Sequence, residues 1–305
     1  MRARLQEAIA LLRNDDPEQT GRALALLQST VFAFSMKVCG HHEDAEDTMQ
    51  EVLLRSVPHL RKITDPRAMA VWLYKVTRNR CWRSRRKPSL APSVTLSLDE
   101  LMPDHDELQQ LLQDRAPSPE QQVADGQQAR LLHEAVLQLP PMYRIVLVLH
   151  DMEELDTDVV AGILDLQPGT VRVRLHRARL ALRRIVAQQA SAPAASGPAD
   201  HKTGSDRKTE AEKKPKRDPK CCAIFANLTE YLDGRLPAPA CEEIKAHMEA
   251  CPPCMAFLND LSAAIDRCRT FQDPEQQQVQ MRLGSLLAAE YTRMAAQSAA
   301  IGRAN

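Results

Sequence analysis

The stretch from Leu139 to Arg184, LPPMYRIVLVLHDMEELDTDVVAGILDLQPGTVRVRLHRARLALRR, decides how this 305-residue chain is interpreted. Its last part, beginning at Pro168, predicts one amphipathic helix, because apolar residues recur there at helical spacing. The apolar stripe consists of Val171, Leu175, Ala178 and Leu182. Pro168 suits the first turn of this helix, since its missing N–H would have no partner there.

A shorter helix is predicted just before this one. Asp156 could cap its start, and Val160, Ile163 and Leu164 would face inward. A tight turn around Asp165-Leu166-Gln167 would join the two helices, which makes a helix-turn-helix. The second helix carries many basic residues and no acid: Arg172, Arg174, His176, Arg177, Arg179, Arg183 and Arg184. A solvated charged surface is the alternative, but the turn, the cap and the sign of the charge together favour binding in the DNA major groove.

The segments LPPMYRIVLVL, EELDTDVVAGIL and PGTVRVRLHRARLALR resemble region 4 of the bacterial extracytoplasmic-function sigma factors, which reads the −35 promoter element. Val159 replaces the usual Glu of that family, and Asp165 replaces the usual Gly of the turn; Asp tolerates the left-handed conformation better than most residues. The resemblance implies that the −35 contacts are Thr170, Arg172, Val173, Arg174, Arg177 and Arg179. Arg179 and Arg183 are expected to clamp phosphates rather than bases.

Residues 44–57, DAEDTMQEVLLRSV, predict a helix with Ala45, Met49, Val52 and Leu53 inward. Its remaining acidic face could be an ordinary solvated surface. However, the segment is similar to sigma region 2.1–2.2, which binds the clamp helices of the polymerase β′ subunit. On that resemblance, the polymerase contacts are Asp47, Gln50 and Glu51.

The segment RAMAVWLYKVTRNRCWRSRRK, which follows Asp65-Pro66, predicts a helix whose basic groups alternate with aromatic rings. Cations for the backbone and flat faces for unstacked bases are what single-stranded nucleic acid requires. Trp72 is assigned to the core, and Trp82 is ambiguous. The segment resembles region 2.3–2.4, the reader of the −10 element, where capture of a flipped base aids melting. The implied −10 contacts, predicted to lie on outward stripes, are Tyr74, Lys75, Arg78, Asn79, Trp82 and Arg86.

Composition supports an all-α fold. Aromatic residues make up 4% of the chain and hydrophobic residues 44%, and no segment shows sustained β alternation. The formal net charge is zero, but basic clusters (75–87 and 172–184) alternate with acidic stretches (43–51 and 99–120), and a local patch is what attracts phosphate. Without a signal peptide or a membrane-length apolar run, we expect a cytoplasmic protein. No catalytic carboxylate pair, nucleophile motif or phosphate loop is present, so an enzyme is not expected.

A cysteine-rich segment, residues 221–271, carries the second strong signal. His247 and Cys251 lie at i and i+4, and Cys254 follows at i+7. Three thiolates and one imidazole are typical of a structural zinc site, and the fourth ligand could be Cys221 or Cys222. The segment resembles zinc-finger anti-sigma domains, whose C-x25-H-x3-C-x2-C spacing favours Cys221. One zinc ion is predicted, either structural or redox-sensing. Cys39, Cys81, Cys241 and Cys268 are expected to be buried thiols.

Two other interpretations of these cysteines remain. One is a disulfide between Cys251 and Cys254, which a reducing compartment disfavours. The other is a thiol-redox protein, since Cys251-Pro-Pro-Cys254 resembles a thioredoxin-type motif, although no strand is predicted before it.

The sequence therefore predicts a sigma factor that directs core RNA polymerase to promoter DNA and is regulated in cis by its zinc-binding module. It needs no small-molecule substrate. The alternative from another class is a helix-turn-helix regulator that acts without polymerase. The predicted divisions are 1–87 (region 2-like), 88–129 (linker), 130–187 (region 4-like), 188–219 (disordered linker), 220–272 (zinc-finger module) and 273–305 (tail with an amphipathic helix).

Overall fold

The computed structural model describes residues 2–14, 16–84, 96–103, 107–108, 125–191 and 218–271, together with 291 and 293. Every regular element in these ranges is helical, which confirms the all-α prediction. The helices are α1 (Arg2–Leu12), α2 (Pro17–Cys39), α3 (His42–Leu60), α4 (Pro66–Ser84), α5 (Leu98–Leu101), α6 (Asp125–Gln138), α7 (Pro141–Leu147), α8 (Thr157–Leu164), α9 (Pro168–Ser191), α10 (Pro219–Leu232), α11 (Ala238–Ala250) and α12 (Pro252–Arg269). None of the described helices is long and apolar enough to cross a membrane.

The first four helices form the N-terminal domain. Asp16 caps α2 by accepting hydrogen bonds from the backbone N–H groups of Glu18 and Gln19, at 3.3 and 3.2 Å. Gly40 ends α2 in a left-handed conformation (φ 76°), as helix C-termini favour. The inward positions predicted for α3 are all buried, which confirms that helix: Ala45, Met49, Val52 and Leu53. On α2, Leu24, Leu27, Val31 and Phe34 are buried as well.

The helix-turn-helix is formed by α8 and α9. Asp165 ends α8 in a left-handed conformation (φ 56°, ψ 45°), as predicted for the turn. The predicted inward residues of both helices are buried. Asp156 does precede α8, but its side chain makes no capping hydrogen bond and instead pairs with Arg67, so the predicted cap is wrong.

A π-helical turn, Val148–Met152, continues α7 before the loop that leads to α8. Such a turn inserts an extra residue and redirects side chains, and it is found frequently at functional sites. Here Asp151, which is 1% exposed, points into the protein interior beneath α9.

Part of the predicted linker lies against the helix-turn-helix domain. Leu101, Met102 and Leu108 are buried, and the carbonyl of Glu100 accepts a hydrogen bond from Arg184 at 2.8 Å. The helix α6 begins at Asp125, inside the stretch predicted as linker. The predicted tail, 273–305, falls outside the described residues except for positions 291 and 293.

The zinc-finger module consists of α10, α11 and α12. Its small core is built around Phe225 and Phe257, whose rings meet edge-to-face with centroids 4.8 Å apart. Leu228 and Leu261 complete this core and are fully buried. The module lies against α9 of the helix-turn-helix domain and covers part of the polar side of that helix.

Candidate nucleic-acid interface and metal centre

The four predicted zinc ligands meet at one point of the module. Cys221 lies on α10, His247 on α11, Cys251 at the junction and Cys254 on α12. Their ligand atoms all lie within 4.8 Å of one another. The distance from His247 Nε2 to Cys221 Sγ is 3.7 Å and to Cys254 Sγ 3.3 Å. A tetrahedral zinc ion with bonds of about 2.0–2.3 Å would separate its ligands by about 3.3–3.8 Å, so the residues fit the ion.

The electrostatics of this cluster also favour a cation. Burial raises the pKa of Cys254, and hydrogen bonds with the neighbouring thiols raise it further. Burial raises the pKa of Cys221 as well. Three thiolates can therefore share this site at neutral pH only when a cation offsets their charge. No disulfide joins Cys251 to Cys254, and the fourth member of the cluster is Cys221 rather than Cys222.

The polar side of α9 is divided into two faces. We call the first the closed face: Arg172, His176, Arg179 and Arg183. Each of its residues contacts the zinc-finger module. Arg172 pairs with Glu230 at 3.7 Å, and His176 Nδ1 is hydrogen-bonded to Thr229 at 2.8 Å. Arg183 pairs with Asp260 at 2.7 Å and lies 4.3 Å from the ring centroid of Phe257.

Arg179 is the centre of the closed face. It is 1% exposed and donates to both oxygens of Asp151, at 2.6 and 2.8 Å, and to Asp233 of the module at 2.8 Å. Burial alone would raise the pKa of Asp151, but hydrogen bonds from Arg179 and His150 hold it below its ordinary value. Both members of the pair are therefore charged in the interior.

The expectation that Arg179 and Arg183 clamp phosphates is wrong for this arrangement of the chain, because both side chains are buried in ion pairs. Spacing placed them on the polar side of α9 correctly. It could not show that another part of the same chain covers that side.

The second face of α9, which we call the open face, consists of Thr170, Val173, Arg174 and Arg177. With Gly169, Met142 and Tyr143 it lines a cleft at the start of the helix. Val173 is 53% exposed, which is unusual for a large hydrophobic residue in this structure. The first turns of the second helix are where helix-turn-helix proteins contact base edges. The open face is therefore available for duplex DNA.

The predicted −10 residues on α4 lie against the helix-turn-helix domain. Tyr74 is buried, its ring lies 4.7 Å from that of Phe34, and its hydroxyl donates to Glu153 at 2.5 Å. Burial raises the pKa of Tyr74, so the hydroxyl keeps its proton. Arg78 is also buried and, like Lys75, pairs with Asp165. The predicted outward stripe is therefore wrong for Tyr74 and Arg78.

Asn79 accepts hydrogen bonds from Arg78, at 2.6 and 3.0 Å, and is half-buried. Trp72 is half-buried beside the His59 ring, with centroids 5.8 Å apart. The side chain of Trp82 and the whole of Arg86 lie outside the described residues. The structure thus brings Tyr74, Lys75, Arg78 and Asn79 together, with Tyr74 and Arg78 covered and Lys75 partly exposed.

The predicted polymerase residues lie on one side of α3. Asp47 is exposed and Gln50 is half-buried. Glu51 pairs with Arg55 at 3.0 Å and with Arg80 of α4 at 2.5 Å, which connects this acidic side to the basic helix.

Sequence reasoning missed four acids that pair with buried or half-buried cations: Asp151 within the helix-turn-helix domain, and Glu153, Asp233 and Asp260 between domains. One signal was available for Asp151, since it lies only two residues after the apolar run 145–149, and an acid buried with that run needs a partner. Cys39, Cys81 and Cys268 are buried as predicted, but Cys241 is half-exposed, with its thiol near the carbonyl of Leu236. That prediction is wrong because Cys241 lies in the first turn of α11, at the edge of the module.

The fold defines a helical protein with a basic helix in its N-terminal domain, a helix-turn-helix, and a cysteine–histidine cluster that fits a metal ion. Comparison with known families gives three matches, one for each of these three parts of the chain. Residues 25–89 match sigma-70 region 2, residues 129–182 match sigma-70, region 4, and residues 222–255 match the family described as "Putative zinc-finger".

Individual relatives agree with these matches. The chain is 32% identical over 143 residues to the RNA polymerase sigma-E factor of Streptomyces antibioticus, covering 46% of this chain and 69% of that protein. It is 24% identical over 184 residues to the ECF RNA polymerase sigma factor SigW of Bacillus subtilis, covering 60% and 97%. It is 30% identical over 166 residues to the ECF sigma factor SigE of Mycolicibacterium smegmatis, covering 54% and 61%.

The chain belongs to the extracytoplasmic-function RNA polymerase sigma factors and carries a zinc-finger domain after its sigma regions. Sigma factors are transcription initiation factors and not enzymes, so core RNA polymerase and promoter DNA are the partners that the family implies. The thiol-redox alternative loses its support, since Cys251-Pro-Pro-Cys254 opens α12 and no strand precedes it in the described residues.

Proposed function

We propose that this sigma factor reads the −35 element with the open face of α9. The observation that carries the proposal is the cleft at the start of α9, where Thr170, Val173, Arg174 and Arg177 are grouped together. Arg174 and Arg177 supply the donors that guanine edges accept, and Val173 and Thr170 supply apolar and hydroxyl contacts. Arg172 lies at the border between the two faces and adds a contact once Glu230 releases it.

The N-terminal domain supplies the contact with the polymerase and the binding of the melted −10 strand. Asp47, Gln50 and Glu51 contact the polymerase, because this acidic side of α3 is accessible at Asp47. Tyr74, Lys75, Arg78 and Asn79, with Trp82 and Arg86, hold the melted −10 strand. This second role requires the N-terminal domain to separate from the helix-turn-helix domain, since Tyr74 and Arg78 are covered when the two are in contact.

The zinc-finger module holds one zinc ion through Cys221, His247, Cys251 and Cys254. The ion supplies the cross-link that fixes α10, α11 and α12 to one another, because the aromatic core of the module is small. Asp233 follows α10 directly, and Asp260 lies on α12 two turns after Cys254. A correctly folded module therefore presents both acids to Arg179 and Arg183.

This placement supports regulation in cis. The module occupies the closed face of α9, and because both lie on one chain its effective concentration is high, on the order of millimolar for joined domains. While the module is docked, Arg179 and Arg183 cannot reach phosphates. Release of the module would uncover the closed face of α9, with Arg179 still paired with Asp151.

In vitro transcription with core polymerase and a promoter library tests the proposed function. We expect the full-length protein to direct initiation at defined sites, and Arg174→Ala and Arg177→Ala to change which −35 sequences are used. Arg184→Ala is the matched control, because Arg184 lies on the same helix but contacts the carbonyl of Glu100. Unchanged −35 preference in both variants, or no defined start site with the wild-type protein, would contradict the proposal.

A further inference from the structure

The loop before α8 and the end of α8 present three acids to the N-terminal domain. We call Glu153, Asp156 and Asp165 the acidic rim. Each pairs with a cation of α2 or α4: Glu153 with Lys37 at 2.7 Å, Asp156 with Arg67 at 2.6 Å, and Asp165 with Lys75 at 2.8 Å. The rim is therefore complementary in charge to the helix that is proposed to hold the −10 strand.

The individual contacts resemble those that a nucleic-acid strand would make. Asp165 offers one oxygen to Lys75 and the other to Arg78, at 2.8 and 3.3 Å, as a phosphate bridging two cations would do. Glu153 bridges Lys37 and the hydroxyl of Tyr74 in the same way. The carbonyl of Gly162 adds a further oxygen near Lys75, at 3.3 Å.

We propose that the acidic rim is a docking surface for the −10-binding face of α4, and that it competes with single-stranded DNA for Lys75, Arg78 and Tyr74. The proposal rests on the proposed function, since it concerns the same residues of α4. The acidic rim and single-stranded DNA exclude each other, because each places anionic oxygens against the same cations. DNA capture at the −10 element therefore requires the two sigma domains to separate.

Asp165 is the most informative member of the rim. It occupies a left-handed position (φ 56°), where Gly or Asn is more readily accommodated than Asp. Its hydrogen bonds with Lys75 and Arg78 hold the pKa of its carboxyl below the ordinary value, so the charge is present at neutral pH. Asp165→Asn removes the charge and keeps a residue that tolerates this backbone conformation.

The rim acts separately from the zinc-finger module. All the pairs join residues between 37 and 78 to residues between 153 and 165, and the charges come from the two sigma domains alone. The module approaches this contact at Phe271, whose ring lies 5.8 Å from Lys37, but it contributes no acid to the rim. The acidic rim should therefore stay docked on α4 when the module is removed.

A zero-length carbodiimide cross-link between Lys75 and Asp165 measures the docking directly, because both side chains are reachable from solvent. With the full-length zinc-loaded protein we expect this cross-link in peptide mass spectra without DNA. Increasing single-stranded DNA of mixed sequence should suppress it. An absent cross-link without DNA, or an unchanged yield at saturating DNA, would overturn the proposal.

Binding of the same fluorescent single-stranded DNA, followed by anisotropy, gives the second measurement. We expect Asp165→Asn to bind about threefold more tightly than the wild type, since its ion pairs with Lys75 and Arg78 are lost and the Asp165 side chain is itself largely exposed. Asp158→Asn is the matched control, because Asp158 is an exposed acid on the same helix outside these pairs. Equal affinity of Asp165→Asn and the control would also overturn the proposal.

The proposed function and the inference can fail separately. A protein that directs initiation at defined sites, but whose Lys75–Asp165 cross-link resists DNA, would refute only the competition. A protein that directs no initiation with core polymerase would refute the proposed function itself.

Discussion

The closed and open faces of α9 both carry arginines, but in opposite environments. On the closed face, Arg179 and Arg183 are buried in ion pairs with acids of other segments. On the open face, Arg174 and Arg177 line an accessible cleft. The difference teaches that an arginine on a recognition helix reads DNA only when nothing else in the chain supplies its anion. Four experiments test whether the two faces differ in this way.

The largest effect should follow removal of zinc. A structural zinc ion contributes about 10–16 kcal/mol in small zinc-finger peptides, so the module should unfold when the metal is chelated. We expect a loss of helical circular dichroism and exposure of the closed face, while the helix-turn-helix stays folded. Retention of full helicity after complete zinc release would show that the module does not depend on its metal.

The next effect concerns Arg179. Truncation to Ala leaves Asp151 charged and buried without its partner, so we expect the free energy of unfolding to fall by about 3–5 kcal/mol. Arg174→Ala on the open face should stay within about 0.5 kcal/mol of the wild type. Urea unfolding measures both. Equal losses in the two variants would remove the distinction between the faces.

A smaller effect should come from pH, through His176. Burial, with Arg179 and Arg177 nearby, lowers the pKa of His176 from 6.5 to about 4. Because the docked form keeps this histidine neutral, protonation favours release of the module as the pH falls below about 6.5. Linkage predicts docking on the order of tenfold weaker at pH 5 than at pH 7.

An NMR titration of the His176 ring protons in the full-length protein measures this pKa, and His176→Gln identifies the signal. A value near 6.5 would show that the module does not cover this part of the closed face.

The smallest effect is expected at Arg183. Its partner Asp260 is partly exposed, so Asp260→Asn should lower the free energy of unfolding by about 0.5 kcal/mol. Asp266→Asn is the control, because Asp266 lies further along α12 and pairs only with Arg269 of the same helix. If thermal unfolding separates these two variants by several kcal/mol, the Arg183–Asp260 pair at the edge of the interface is as important as Arg179.

The local structure could be predicted from the sequence because it depends on near neighbours. The stripe of Val171 and Leu175 and the left-handed turn at Asp165 follow from helical periodicity and turn chemistry, and the structure confirms them. The four cysteine and histidine ligands converge in the structure as their spacing suggested.

The contacts between domains could not be predicted in this way. Arg179 meets Asp233 of the zinc-finger module, which is 54 positions away, and no periodicity connects such residues. Tyr74 has the same place in the helical pattern whether DNA, solvent or Glu153 lies against it. An amphipathic pattern shows that a polar face exists, but the occupant of that face depends on tertiary structure.

The most direct test of the account is the yield of abortive transcripts that core polymerase makes with the full-length protein and with its Asp233→Asn, Asp260→Asn variant. The variant leaves Arg179 paired with Asp151, so the helix-turn-helix should remain intact while the module is released. The account predicts about tenfold more transcript from the same start sites, since two charge-assisted contacts are removed. Equal or lower yield from the variant would contradict the claim that the module holds this sigma factor closed.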